Sequence, residues 1–256
     1  MKMTLSEINA YLDSLPVEQL HSALEEFQED PREGVKKLVM KYRKKREAYL
    51  AELTRLDGMM RYERSYPDCR LIAGIDEAGR GPLAGPVVAA AVILPEDRPI
   101  LYVDDSKKLS EKKREELYEV ILKEARFVGV GMASEKRIDE INILNATKEA
   151  MATAVEKLGV TPDLLLIDAV RLSDVKIRQV PIIKGDAKSA SIAAASIVAK
   201  VTRDRIMREY DTLYPGYGFR QHKGYGSAEH IAALMKLGPC PLHRRSFIKG
   251  ILGNEE

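Results

Sequence analysis

Cysteine is scarce in this chain: Cys69 and Cys240 are the two in 256 residues, and they form neither a metal-binding nor a redox spacing. A disulfide framework is thereby excluded, and two reduced thiols in a cytosolic protein are the expectation. Long hydrophobic runs are missing as well. The longest, residues 87–94, falls far short of the about 20 residues that cross a bilayer. The N-terminal stretch MKMTLSEINAYLDSLP lacks the unbroken apolar core of a signal peptide. These absences predict a soluble, cytoplasmic chain with no membrane partner. No charge sign is in excess, since the net charge is +2, so composition alone does not mark a nucleic-acid partner. There is no internal repeat and no low-complexity tract. What remains is a chain with 45% apolar residues, enough to fill a core, and long enough for one large domain with or without an appendage.

Residues 1–68 read as a helical extension, and residues 69–256 as the second domain. Thr4 and Glu7 have capping-box spacing, and Leu5, Ile8, Leu12 and Leu15 follow as a helical stripe. Pro16 suits the start of a second helix carrying Leu20, Leu24 and Phe27, which Asp30-Pro31 ends. A long third helix is expected over residues 34–62. Its apolar positions from Val39 to Met60 recur at three- and four-residue steps, broken only by Arg46. Packing against the two preceding helices is the preferred reading, and a seam for a partner protein is the alternative. The same helix carries a basic run, Lys36 to Arg46, which suits either a solvated face or nucleic-acid backbone.

The chain is organised around residues 71–94, LIAGIDEAGRGPLAGPVVAAAVIL. A short apolar strand leads into Asp76 and Glu77, a turn of small residues follows, and a second apolar strand spans residues 86–94. Side chains on a strand alternate between faces, so both acids serve one site only if the strand ends or twists there. The glycines allow close approach to bare backbone. Further along, a helix is expected over residues 111–123 and a strand over 127–133. A helix capped by Ser134 covers 135–141, and another covers 142–158. Strands follow at 164–167 and 177–183, then a turn at Lys184-Gly185-Asp186. A long Ala-rich helix over 189–210 has small residues that let it lie close to a sheet, and a last clear helix covers 228–237. This order argues a mixed α/β fold.

Four acids fall at element boundaries: Asp76, Glu77, Asp168 and Asp186. Clustered, they would repel one another, and divalent cations would relieve that. Carboxylates suit Mg2+ or Mn2+, and no His or Cys spacing suggests zinc. Taken singly, Asp168 also reads as a strand-ending residue and Asp186 as a helix cap. Asp104, Asp105, Asp163, Asp174 and Asp204 are set aside as structural, the last paired with Arg203 and Arg205. The Gly79-Arg80-Gly81 turn has the look of a phosphate cradle, with an ordinary tight turn as the plainer reading. Lys107, Lys184, Arg220, His222, Lys223, His243, Arg244 and Arg245 are candidate phosphate contacts.

The run from Asp76 to Gly81 closely resembles the signature of bacterial ribonuclease HII, the type 2 ribonuclease H. Residues 105–110, 164–168, 184–186, 194–204, 222–225 and 241–247 resemble the same family in order, so the likeness covers roughly residues 70–250. It implies a ribonuclease H-like fold with a mixed five-stranded sheet behind the helical extension. It implies that Asp76, Glu77, Asp168 and Asp186 are catalytic ligands of two divalent ions, Mn2+ or Mg2+. It further implies that Gly79, Arg80, Gly81 and Tyr225 recognise a ribonucleotide through its 2′-hydroxyl, the feature that separates RNA from DNA. The implied activity is endonucleolytic cleavage of RNA in RNA–DNA hybrids and at single ribonucleotides in duplex DNA, leaving 3′-hydroxyl and 5′-phosphate ends, by a monomer acting in DNA replication and repair. A DNA nuclease or resolvase of the same fold, and a non-catalytic hybrid-binding protein, are the competing readings.

Overall fold

The computed structural model describes residues 3–96 and 100–252, and the chain divides into two compact units, Met1–Gly58 and Met59–Glu256. In the first unit, α1 (Leu5–Ser14) opens on a full capping box: the Thr4 amide donates to Glu7 Oε2 at 2.7 Å, and the Glu7 amide donates to Thr4 Oγ1 at 3.3 Å. A 3₁₀ turn (Val17–Gln19) leads into the short α2 (Leu20–Glu25), and α3 (Glu33–Met59) follows. Ile8, Leu12, Leu20 and Leu24 form one core with Val35, Val39 and Tyr42 of α3. The first half of the expected seam is therefore covered by the two preceding helices, as the preferred reading had it. The helix ends three residues earlier than expected, and residues 61–64, which belong to the second unit, form a separate short helix, α4 (Arg61–Arg64).

The second unit is built on a five-stranded sheet of order β3-β2-β1-β4-β5. The strands are β1 (Ile72–Ala78), β2 (Val87–Ile93), β3 (Phe127–Ala133), β4 (Leu164–Asp168) and β5 (Arg178–Ile182). The first three form an antiparallel meander, and β4 and β5 run parallel to β1. The helices are α5 (Glu111–Glu124), α6 (Glu135–Glu156), α7 (Ala190–Leu213), α8 (Phe219–His222), α9 (Ala228–Leu237) and α10 (Arg245–Leu252). The two helices expected over 135–158 meet at Asn142, whose φ of 68° makes the kink within α6.

Small residues decide how closely the layers approach. A Cβ added to Gly129 or Gly131 of β3 would lie 2.1 Å from the carbonyl oxygen of Ala154 or Ala150 in α6. On the other face, a Cβ on Gly74 of β1 would lie 2.1 Å from the carbonyl carbon of Ser191 in α7. The α6 face buries Ala73 and Ile75 with Ala89, Ala91, Leu165 and Ile167. By alternation, Gly74 and Asp76 face α7, and so do Leu164, Leu166 and Asp168 of β4, where Leu164 and Leu166 meet Ile192. Among the described residues no helix is long and apolar enough to cross a membrane.

Candidate active site

The centre of the site is a matter of register. Ile75 of β1 pairs with Ile167 of β4, so Asp76 and Asp168 follow side by side on neighbouring parallel strands. Both point to the α7 face, and adjacent strands lie about 4.8 Å apart. Pairing of β1 with β4 stops at that level, while pairing with β2 runs on to Ala78 and Val88. The strand does not end at the acids, as one expectation had required. Its β4-side edge opens there instead. Glu77 belongs by alternation to the opposite face, yet its carboxylate still interacts with Asp168 and Lys107 across that open edge.

Asp186 reaches the same region from a different direction. Its 3₁₀ turn (Gly185–Ala187) follows Lys184, which holds a left-handed backbone with φ 57° and ψ 48°. Asp168 Oδ1 accepts a hydrogen bond from the Gly185 amide at 2.7 Å. That bond fixes the turn to the end of β4. Lys107 Nζ lies 3.5 Å from Asp186 Oδ2 and 3.8 Å from Asp105 Oδ1. Asp105, set aside in the sequence, thus belongs to the acidic group, and its place two residues before Lys107 was the available signal.

The electrostatics follow from crowding. Burial, then Glu77 and Asp168, raises the Asp76 carboxyl well above its ordinary range. Burial also raises Glu77, with Arg80 in partial opposition, and raises Asp186, which Asp105 and Asp168 push further. Glu77 Oε2 is buried and has no hydrogen-bond partner. An orphaned carboxylate oxygen among mutually repelling acids is the donor set that hard cations use. As the side chains stand, no three His, Cys, Asp or Glu among the described residues converge tightly enough to enclose one ion.

The turn beside these acids has two glycines with different reasons for being glycine. Gly79 has φ 97°, and a Cβ there would lie 2.1 Å from Arg203 Nε, so the fold itself demands it. Gly81 has no positive φ, and an added Cβ would meet nothing within 4 Å. Nothing in the fold requires glycine at 81, which leaves bare backbone facing outward. The side chain of Arg80 is half-exposed, with Nη1 3.4 Å from Glu77 Oε1. Tyr225 is 43% exposed, with Lys200 and Arg203 over its ring at 5.8 and 5.7 Å. Lys184 and Lys107 are exposed beside the acids, as phosphate contacts need to be.

Several other candidates turn out to be interior. Lys223, His243 and Arg244 are buried, so they do not meet phosphate from outside. His243 belongs to a hydrogen-bond chain of neutral imidazoles. His230 Nδ1 donates to the Tyr225 carbonyl at 2.8 Å, leaving its Nε2 to accept from His243 Nε2 at 3.1 Å. The remaining nitrogen, His243 Nδ1, accepts from the Cys240 amide at 3.0 Å. Asp204 is structural, but its partners are Lys200 at 2.7 Å and Arg114 at 4.0 Å. Arg205 turns instead to Glu115 and Glu119, and Arg203 turns to backbone carbonyls. Asp163 accepts from the Arg70 and Leu71 amides, each at 2.8 Å, and anchors the start of β1.

A mixed sheet of this order, with acids where its central parallel pair ends, is the architecture of the ribonuclease H-like α/β nucleases. The family model for Ribonuclease HII matches residues 73–250, and that for the Ribonuclease HII N-terminal domain matches residues 4–67. The Ribonuclease HII of Lachnoclostridium phytofermentans is 60% identical over 251 residues, which are 98% of this chain and 99% of that protein. Among solved structures, the RNase HII of Archaeoglobus fulgidus, determined in complex with PCNA, superposes with a TM-score of 0.61 at 30% identity, over 72% of this chain and 97% of that one. The ribonuclease H2 of Pyrococcus horikoshii gives 0.59 at 28% identity, over 71% and 96%. The chain belongs to the ribonuclease HII family. It is an endoribonuclease acting on RNA in RNA–DNA hybrids, from a family of metal-dependent hydrolases.

Proposed function

We propose that this endoribonuclease also incises duplex DNA at single embedded ribonucleotides and leaves 3′-hydroxyl and 5′-phosphate ends. Asp76, Glu77, Asp168 and Asp186 hold two divalent ions, Mn2+ or Mg2+, and are the catalytic acids. When bound, such a pair of ions supplies an activated water and stabilises the departing 3′-oxygen. The chain's own residues do the selecting. The amides of the Gly79-Arg80-Gly81 turn and the hydroxyl of Tyr225 bind the 2′-hydroxyl, which is both donor and acceptor. The Tyr225 ring stacks on the neighbouring deoxyribose, and Lys107 and Lys184 meet flanking phosphates.

The observation that carries this reading is the placement of the side-by-side Asp76 and Asp168 next to a turn whose outward glycine, Gly81, the fold does not require. The remaining assignments go with it: a cytoplasmic monomer, divided at residue 68 into a helical extension and a catalytic domain. The deciding experiment compares a duplex containing one ribonucleotide with the all-DNA duplex, in Mg2+, in Mn2+ and in chelator. Cleavage of the ribonucleotide duplex in large excess over slow cleavage of the all-DNA duplex, with both abolished by chelator, is the expected result. Equal rates on both duplexes would reject ribonucleotide selection.

A further inference from the structure

Six backbone carbonyls in and around the loop from Gly79 to Pro86 turn toward two guanidinium groups. Arg203, within α7, donates from Nε to Pro86 at 2.9 Å, from Nη2 to Ala84 at 3.0 Å and from Nη1 to Lys223 at 2.9 Å. Arg244, just before α10, donates from Nη2 to Gly79 at 2.6 Å and from Nη1 to Arg80 at 2.9 Å. Its Nε and Nη2 also reach Gly85, at 3.0 and 2.8 Å. Both side chains are fully buried. Among the described residues, neither has a carboxylate within ion-pair distance. Two like charges have therefore been taken out of water side by side, with carbonyl dipoles as their compensation. A leucine or methionine would fill such space at far lower desolvation cost. The fold even gives up a side chain at Gly79 to admit Arg203.

The geometry of the peptide bond says what this arrangement accomplishes. A trans peptide is planar, and its C=O and N–H point in opposite directions. The Gly79 carbonyl shares a plane with the Arg80 amide, and the Arg80 carbonyl shares the next plane with the Gly81 amide. Arg244 holds both carbonyls inward and so turns both amides outward. Arg80 and Gly81 are exposed, and their amides have no acceptor among the described residues. The two cations behind the planes also strengthen those amides as donors to an oxygen in front.

We infer that Arg244, assisted by Arg203, is a positioning residue for substrate selection, holding the Gly79-Arg80-Gly81 turn so that its outward amides meet the ribose 2′-hydroxyl. This rests on the proposed reading of the turn as the ribose reader. Neither arginine touches substrate, and neither contributes to the carboxylate centre.

The test uses the full chain and the ratio of kcat/KM for the one-ribonucleotide duplex to that for the all-DNA duplex. Arg244→Lys keeps the charge but lacks the fork that bridges Gly79, Arg80 and Gly85. A folded Arg244→Lys is expected to lose about 10²-fold in the ratio, the scale of a misplaced binding group, with the Mn2+ concentration for half-maximal activity unchanged. Arg203→Lys, which loosens the loop from the side of Ala84 and Pro86, should lose less in the same direction. Should neither fold, Phe247→Leu serves, because it removes only the ring 5.1 Å from the Arg244 guanidinium and should lower the ratio a few-fold. An unchanged ratio in a folded variant overturns the inference, and so does an equal loss on both duplexes, which marks a purely structural role. If the wild-type chain itself shows no discrimination, the ribose-reader reading fails instead, and the two failures are told apart by that arm alone.

Discussion

Asp168 binds the Gly185 amide through Oδ1 at 2.7 Å, so the residue that ends a buried strand also sets the turn that presents Asp186. An asparagine can accept the same hydrogen bond, because its side-chain carbonyl occupies that position. Asp168→Asn is therefore expected to unfold within about 1 kcal/mol of wild type while cleavage falls by orders of magnitude and duplex binding persists. Asp168→Ala frees the turn and should lose stability as well. Urea denaturation beside a cleavage assay separates the two variants. An active, stable Asp168→Asn would remove this residue from the catalytic centre.

Two glycines close in sequence should respond oppositely to alanine. At Gly74 the new methyl group would meet the α7 backbone at 2.1 Å. Neither a strand nor a helix can shift there without dislodging the other, so a loss of about 3 kcal/mol or more is expected in denaturant titration. At Gly81 the methyl group enters open space. Gly81→Ala should keep its thermal midpoint and lose cleavage of the one-ribonucleotide duplex, because the substrate then meets the methyl group. A Gly81→Ala chain of normal activity would show that nothing approaches this backbone.

The histidine chain gives a pH dependence with a definite sign. Burial, with His230 beside it, lowers His243 from 6.5 to about 4. A depressed folded value means that the unfolded chain takes up the proton first. The contribution to stability is therefore complete above pH 6.5 and is lost as pH falls toward 4. Over that window the wild-type chain should lose on the order of 3 kcal/mol through this group. His243→Asn should be less stable at neutral pH and flatter below it. Denaturant midpoints at several pH values check this, and parallel curves for the two chains would refute it.

Where the helical extension is removed should matter more than whether it is removed. Glu63 in α4 accepts from Ser189 Oγ at 2.7 Å, from the Ser191 amide at 3.0 Å and from Ser191 Oγ at 2.7 Å. Its carboxylate adds to the Ser189 hydroxyl cap at the start of α7, the helix pressed against β1. Residues 59–256 retain it and residues 69–256 lose it. The longer fragment is expected to be more stable by about 1–3 kcal/mol, read from thermal unfolding of the two. Glu63→Gln in the full chain should show part of the same loss.

Much of the second unit was readable in the sequence because its periodicities are strong and its caps are explicit. The strand at 127–133 and the helix at 228–237 occur as expected, and Ser134 caps the helix that follows it, as expected. The candidate acids stood out because polar residues ending apolar strands are conspicuous. Three things were not readable. Side-by-side placement of Asp76 and Asp168 depends on which strands pair, a long-range fact with no local trace. Arg203 and Arg244 look like surface cations in sequence, since nothing local announces that backbone carbonyls will receive them. Glu63 sits just past the expected end of the long helix, and its partners lie more than a hundred residues away.

The left-handed backbone at Lys184 has a practical side. Non-glycine residues hold that conformation at a cost of roughly 1–2 kcal/mol, and here a long basic side chain is retained next to Asp186 all the same. Anyone hardening this enzyme for hot reaction mixtures would find glycine at 184 an obvious gain in heat tolerance. If Lys184 meets a flanking phosphate as proposed, the same change would strip a cation from the rim where the strand settles, so robustness and grip on the strand would be set against each other at a single position.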